Sequence, residues 1–514
     1  MTGCGGGSQA SRSGPRTVAT NPPDVVPVQV YPSVSLVAGG RSRFVRPLPL
    51  HWAVSLDVRL QRGSGVGLQI GPVGAGFASS SPTQWQHLEL TPGHETLDGH
   101  PIAFRGSGAS NLTIEAIQGR VQIRALLITS SDDPGALLLQ RLAELHARLR
   151  LGQFPVGADL GNHLHIDSTY WTSGFWPGAL WQAAAFVRGP GGATFERWAL
   201  PATLVHFGQE RADTHDVGFM YGESSLAAWD ALCQGTRPPA DLCDRLRRSV
   251  LAAAGELLAL EATNRRAGTI PTTATSGQAD TIIDSMMNIA ILPWASRVTG
   301  NPVYARVASR HAHVVARLLV RADGSTAQAV NFDRATGRVI SIGTHQGLSN
   351  ETTWSRGQGW AVYGFAVAAL ELHDRALLRV ALRAAGYVQR HLPRGAVPRW
   401  DYDAPAGAPI DVSAGVITAA GLLHLADACN ALAGVCARPN QWVALARRML
   451  SAALARAYTS PPLGFFPDQV LNEHGRGCWC NGGELIFGLT YALEALNLER
   501  VTGSPDSVAP AHRK

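Results

Sequence analysis

From about residue 134 to about residue 501 the chain presents around a dozen helical segments, and several of them are apolar on more than one face. A helix lying on a protein surface shows one apolar stripe. Segments such as GQGWAVYGFAVAALEL must therefore be packed on two sides, whereas DRALLRVALRAAGYVQRHL and QWVALARRMLSAALARAY carry more charge. Alternating inner apolar helices with outer charged ones, in about six hairpins, predicts a double-layered α/α toroid. A solenoid of helical pairs is the competing arrangement, but the fixed repeat period it requires is missing. The expected fold is mainly α, an (α/α)6 toroid (six-hairpin barrel) over residues 134–503.

The preceding stretch follows a different pattern. Between residues 26 and 132, segments such as VQVYPSVSLVA, HWAVSLDVRL, VGLQIG, NLTIEAIQ and VQIRALLITS are short, rich in Val, Ile and Leu, and separated by Gly, Pro, Ser and Asn. This pattern predicts a small β-sandwich-like accessory domain. It ends at SSDDPG, where Asp followed by Pro opens a helix. Sugar binding is one role for it, since Trp85 and several Tyr and His residues are available; packing as a cap on the toroid is the other, favoured because no aromatic platform is clustered in the sequence. Residues 1–25 have almost nothing to bury and are expected to form a flexible leader, with residues 504–514 a flexible tail.

The net charge of +6 comes almost wholly from Arg, because the only lysine is Lys514. Without an internal lysine the chain has no group for a Schiff base, for pyridoxal phosphate in its usual linkage, or for a P-loop. The basic residues are dispersed rather than gathered into tracts, which argues against a nucleic-acid groove and leaves acidic sugars compatible. Of seven cysteines, Cys233 with Cys243 and Cys429 with Cys436 bracket loops between helices. Either two loop-closing disulfides of an oxidising compartment or buried thiols would suit them, with Cys478 and Cys480 a further pair. Cys4 sits in a small-residue context like a lipoprotein processing site, without the apolar stretch that a signal peptide needs. Export, whether periplasmic, extracellular or lipid-anchored through Cys4, is favoured over the cytoplasm. No apolar run reads as long enough to span a membrane.

Four loop stretches are dense in Trp, Asp, His, Gln and Arg: HIDSTYWTSGFWPGALW, RADTHDVGFMYGESS, GQADTIIDSMMN and GTHQGLSNETTWSRGQGW. Aromatic faces stack on sugar rings and sheltered carboxylates supply protons, so the mixture is what a carbohydrate site needs. Taken singly, each Trp would fill a wide core and each Asp would cap a helix; four such stretches together weigh against that. Asp284 stands in an otherwise apolar helix start, where desolvation should raise its pKa towards that of a useful proton donor. An ordinary N-cap would look the same. Asp216, between His215 and the apolar VGFMY, is a second carboxylate in different surroundings. Arg356, between Trp354 and Trp360, offers a fork for a sugar carboxylate, or else a structural ion pair.

With these residues in hand, the chain resembles glycoside hydrolase family 88, the unsaturated glucuronyl hydrolases. The motifs that carry the resemblance run in the family's order: WTSGFWPGALW, HDVGFMY, IIDSMMN, FDRATG, THQG, TWSRGQGW, WDYD and ITAAGLL. The resemblance implies the six-hairpin toroid and hydration of a vinyl ether, the C4=C5 double bond that a polysaccharide lyase leaves on a terminal uronic acid. It implies Asp284 as the group that protonates C4 and then activates water, and Asp216 as the second essential carboxylate. It further implies that His215, Gln346, Arg356 and Trp360 bind the uronate, that Trp171 stacks on it, and that no metal or organic cofactor takes part. The partners it implies are oligosaccharides ending in an unsaturated uronate.

Three departures bear on substrate choice. Gln328 stands where family members often have His, Thr273 lies near a position where some carry Trp, and Leu489 replaces an Asp common near the C-terminus. Gln328 is retained as a sugar contact of altered chemistry. Relatives in family 105, unsaturated galacturonyl and rhamnogalacturonyl hydrolases, share the fold and the two carboxylates but match less well around THQG and RGQGW. They give the alternative activity, and a catalytically silent sugar-binding toroid is the third.

Overall fold

The computed structural model describes the strands between Gln29 and Ser130 and, in the helical part, residues 134–158, 163–169, 171–187, 189–236, 238–275, 278–457 and 484–502. The leader with Cys4, the pair Cys478 and Cys480, and the tail from residue 503 lie outside the described residues. The N-terminal strands form two antiparallel sheets, one of seven strands and one of four. In the larger sheet the strand Arg120–Ser130 pairs with both Trp52–Leu60 and Gln29–Tyr31.

Fourteen α-helices follow among the described residues: α1 (Pro134–Arg148), α2 (Phe175–Val187), α3 (Gly189–Leu204), α4 (Val217–Tyr221), α5 (Ala227–Cys233), α6 (Ala240–Thr263), α7 (Ser285–Asn288), α8 (Ile291–Thr299), α9 (Pro302–Leu319), α10 (Ser355–Glu371), α11 (Arg375–His391), α12 (Val412–Ala431), α13 (Asn440–Ala457) and α14 (Ile486–Thr502). Their starts are written in the sequence. The Asn301 side chain accepts from Val303 N with Pro302 at the first helical position of α9, and Asp374 and Asp411 accept from the first-turn amides of α11 and α12. Each such cap contributes about 1 kcal/mol. Gly300 stops α8 in the left-handed conformation, with φ at 69°.

The helices alternate between two layers. α1, α3, α6, α9, α11 and α13 are outer; α2, the α4–α5 pair, the α7–α8 pair, α10, α12 and α14 are inner. Each inner element packs on the next, and α14 returns to pack on α2, closing the ring. This closure is what separates a toroid from a solenoid. Fourteen residues of α10 and sixteen of α12 are buried, as helices walled in on both sides require. Where inner elements meet, glycine lets their backbones touch: a Cβ on Gly218 would stand 2.2 Å from the Asn288 carbonyl oxygen, and one on Gly364 would stand 2.5 Å from the Met286 Cβ.

Two sequence expectations are decided here. Cys233–Cys243 and Cys429–Cys436 are both disulfides. One apolar segment is, against expectation, long enough for a membrane: α12 passes by length and composition, but 89% of its 18-residue apolar window is buried inside the ring. A core helix surrounded by other helices needs no polar face, so it resembles a spanning one.

Candidate active site

Every inner element enters the ring from the same mouth, and each brings a side chain there in or beside its first turn. Trp171 lies in a 3-10 turn just before α2, Asp216 at the N-cap of α4, Asp284 at the N-cap of α7, Arg356 at the second residue of α10, Asp411 at the N-cap of α12, and Phe487 at the second residue of α14. Two small antiparallel sheets flank this mouth. One joins Pro155–Ala158, Leu164–Ile166 and Glu484–Leu485; the other joins Gln278–Ile282, Ala329–Asp333 and Val339–Gly343.

Asp284 occupies a cap position without capping: its side chain makes no cap hydrogen bond, and its Oδ2 is buried with no hydrogen-bond partner. The residue is 8% exposed. Burial pushes its carboxyl up to about 7, with the negative charge of Asp216 adding to the rise and Arg356 and His345 opposing it. A carboxyl that is protonated near neutral pH and has an uncommitted oxygen is a proton donor in waiting.

Asp216 has the opposite environment. Its side chain is 22% exposed and well provided with donors: Thr214 Oγ1 donates to Oδ2 at 3.0 Å, Asn288 Nδ2 to Oδ1 at 3.3 Å, and His215 Nε2 lies 3.3 Å from Oδ1. His215 itself is buried, and its Nδ1 has no hydrogen-bond partner. Asn288 ties the two carboxylate segments together, because its Oδ1 also accepts from Phe219 N at 2.7 Å. Nothing in the local pattern singled out Asn288, although its place four residues after Asp284 puts it one helical turn along.

On the other side of the mouth, Arg356 is 4% exposed and gives its Nη1 to Asp411 Oδ2 at 3.3 Å and to Ser413 Oγ at 3.1 Å. Its guanidinium lies 5.0 Å from the Trp354 ring centre and 5.3 Å from that of Phe487. Of the two readings of Arg356, the structural ion pair is present, with Asp411 as its partner. Phe487 in turn stacks on Trp171 with ring centres 5.5 Å apart, and Trp171 meets Phe219 at 5.4 Å. Trp171 is half-buried.

Two residues expected to touch the sugar are buried in this conformation. Trp360 is wholly buried, with its ring centre 5.3 Å from that of Phe219 and 5.5 Å from that of Tyr491. Gln328 is 3% exposed, and both ends of its amide are engaged within the protein. Its Oε1 accepts from Thr344 Oγ1, His345 N and Gln346 N at 2.7, 2.7 and 2.8 Å, while its Nε2 donates to Gln346 Oε1 at 2.8 Å. An amide so committed shapes the 344–346 loop and presents Gln346, which is half-buried at the rim. His345, which was not singled out, is held by Asp280 Oδ2 at 3.0 Å; that hydrogen bond raises its pKa, and the charge of Asp284 adds to the effect. Of the three departures, Leu489 is fully buried in α14, and Thr273 gives its carbonyl to Arg334 at 2.6 Å.

No family model matches the chain. The unsaturated glucuronyl hydrolase of Bacillus sp. (strain GL1) is 35% identical over 287 residues, covering 54% of this chain and 72% of the relative. The unsaturated chondroitin disaccharide hydrolase of Streptococcus pneumoniae is 28% identical over 297 residues, covering 56% of this chain and 72% of that protein. Among solved structures, the crystal structure of the Bacillus sp. GL1 unsaturated glucuronyl hydrolase, described as responsible for the degradation of glycosaminoglycan, superposes with a TM-score of 0.60 at 30% identity, covering 71% of this chain and 95% of that one. Closed ring, shared mouth and sequence identity agree, and the chain belongs to the unsaturated glucuronyl hydrolase family.

Proposed function

We propose that this protein removes the terminal 4,5-unsaturated uronic acid from oligosaccharides released by a polysaccharide lyase. The observation that carries this reading is Asp284, a buried carboxyl raised to about 7 with a partnerless oxygen, beside a second carboxylate of contrasting surroundings. The mouth suits an anionic sugar: the N-terminal ends of α10, α12 and α14 open onto it, and Arg356 commits only Nη1 among the described residues.

In the proposed reaction Asp284 gives its proton to C4 of the vinyl ether, and positive charge develops at C5 and the ring oxygen. The Asp284 carboxylate then takes a proton from water as the water oxygen bonds to C5, so the acid is regenerated. The product is a hemiketal. Its ring opens to a C5 ketone and leaves a hemiacetal at C1, which collapses to an aldehyde and expels the remaining sugar as an alcohol. One water is consumed. Asp216, with His215, positions the sugar and sustains the proton affinity of Asp284; Arg356 and Gln346 bind the uronate; Trp171 stacks on its ring. Trp360 and Gln328 act from behind, as the floor under Phe219 and the brace of Gln346.

The substrate class follows the relatives, whose names specify glucuronyl and chondroitin disaccharide substrates. Gln328, Thr273 and Leu489 concern how the leaving sugar is held rather than the double bond. The strand Arg120–Ser130 lies against α1 and Gln29–Tyr31 against α3, which supports a packing role for the N-terminal domain. Two disulfides favour an oxidising compartment. The test is a panel of lyase-made disaccharides followed by loss of the double bond's ultraviolet absorbance. Turnover of glycosaminoglycan-derived disaccharides is expected; preference for pectin-derived ones would reverse the assignment.

A further inference from the structure

His311 belongs to α9, in the outer layer, yet it is fully buried and directed at α7. Ile270 N donates to its Nδ1 at 2.9 Å, and its Nε2 lies 2.8 Å from Ser285 Oγ. An N–H can donate only to a lone pair, so Nδ1 carries no proton and the single ring proton sits on Nε2. Nε2 then donates to Ser285, whose hydroxyl passes its own proton on to the Ile282 carbonyl at 2.5 Å. Each donor and acceptor in this relay is determined. Burial, with the nearby charge of His215, pushes His311 down to about 3, in keeping with an uncharged ring.

The relay passes through Ser285, the residue next to Asp284. α7 is a four-residue helix that cannot hold its own orientation, and the Asp284 side chain does not cap it. Hydrogen bonds from outside reach this turn at three places: Ile283 N donates to the Gln328 carbonyl at 2.8 Å, Asn288 at its far end bonds Phe219 N and Asp216, and Ser285, the residue next to the acid, is gripped by His311. A buried apolar residue would fill the same volume without that grip. Resting on the proposed role of Asp284, we infer that His311 is a positioning residue for the acid: through Ser285 it fixes the first turn of α7 and the direction of the Asp284 carboxyl, as a neutral dipole that places no positive charge behind it.

Two substitutions separate this role from a structural one. His311→Asn keeps an acceptor for Ile270 N but does not reach Ser285, whereas His311→Gln reaches Ser285 with its amide nitrogen and leaves Ile270 N unpaired. His311→Asn is expected to keep near-parental thermal stability and KM yet lose about 30-fold in kcat, the size of loss that a small misplacement of a reacting group produces. His311→Gln is expected to be less stable and to keep kcat within about 3-fold of the parent. Ser285→Ala should match His311→Asn, and the double substitution should cost no more than either alone. The inference is overturned if Ser285→Ala leaves kcat unchanged, if the two losses multiply, or if activity follows stability so that Gln is worse than Asn. Should a His311 variant not fold, Ser285→Ala alone decides on its kcat. Asp284→Asn is the control: if it retains turnover, the reading of the site fails, whereas an inactive Asp284→Asn with a fully active Ser285→Ala sinks the His311 inference alone.

Discussion

Two pairs of carboxylates in the ring differ in what their oxygens do. Asp284 and Asp216 stand at the mouth. Glu223, in the π-helical turn Gly222–Leu226, and Glu494, eight residues into α14, form the other pair. Eight helical residues correspond to about 12 Å along the axis, so this second pair lies well below the first. Burial, reinforced by the charge of Glu494, pushes Glu223 up to about 8, as far from its ordinary range as Asp284 is from its own. Yet Tyr491 Oη donates to Glu223 Oε1 at 3.1 Å, while Tyr363 Oη and His424 Nε2 lie 2.5 and 3.0 Å from Glu494 Oε1. A raised pKa therefore does not mark a site by itself. A buried oxygen without a partner, beside a second carboxylate at the mouth, does.

The sharpest way to break this contrast is to neutralise one member of each pair. Asp284→Asn should lower kcat by about 10³-fold or more, as loss of a proton donor does, while Glu223→Gln should leave turnover within about 2-fold. Steady-state kinetics on an unsaturated disaccharide reads both, and an inactive but folded Glu223→Gln would erase the distinction.

Asp216→Asn comes next, with an expected loss of about 10²-fold in kcat/KM. It should also move the pH profile. The acid must be protonated to act, so the parent's kcat/KM is expected at its plateau below about 7 and to fall as pH rises through that value. Because the charge of Asp216 helps hold the Asp284 proton, its removal should shift the falling limb to lower pH. A limb that stays in place would mean that the two carboxylates do not sense each other.

Smaller effects belong to stability. The folded pKa of Glu223 lies above its ordinary 4.5, so the native state binds the extra proton between 4.5 and about 8. The associated stability is fully present below 4.5 and is lost as pH rises towards 8. Glu223→Gln should flatten that slope in a series of thermal melts, and an unchanged slope would place the titrating group elsewhere. Smallest per site is reduction of Cys233–Cys243 or Cys429–Cys436, which close spans of 10 and 7 residues. Chain entropy gives about 2.5 kcal/mol for loops of that size, to be read as a lowered denaturation midpoint with turnover unaltered below it.

The toroid was legible because helices apolar on two sides have few other places to go. Asp284 and Asp216 were legible because a carboxylate in an apolar helix start is locally conspicuous and the motif order matched a family. The burial of Trp360 and Gln328 was not legible for a physical reason: sequence shows that a residue belongs to a motif but not how its neighbours enclose it. Asn288 and His311 were passed over because their bonds join segments 72 and 26 residues apart, which no local period records. His345 lay inside a quoted motif, but the Asp280 that holds it comes from another loop. Position in a helix start was readable; partnership across hairpins was not.

The return of α14 onto α2 has a consequence for how the enzyme comes into being. Phe487, whose ring meets both Trp171 and Arg356, arrives with the final helix of the ring. A nascent chain with five hairpins already emerged from the ribosome would thus possess both acidic groups but no finished sugar pocket, so activity during synthesis should switch on late and all at once.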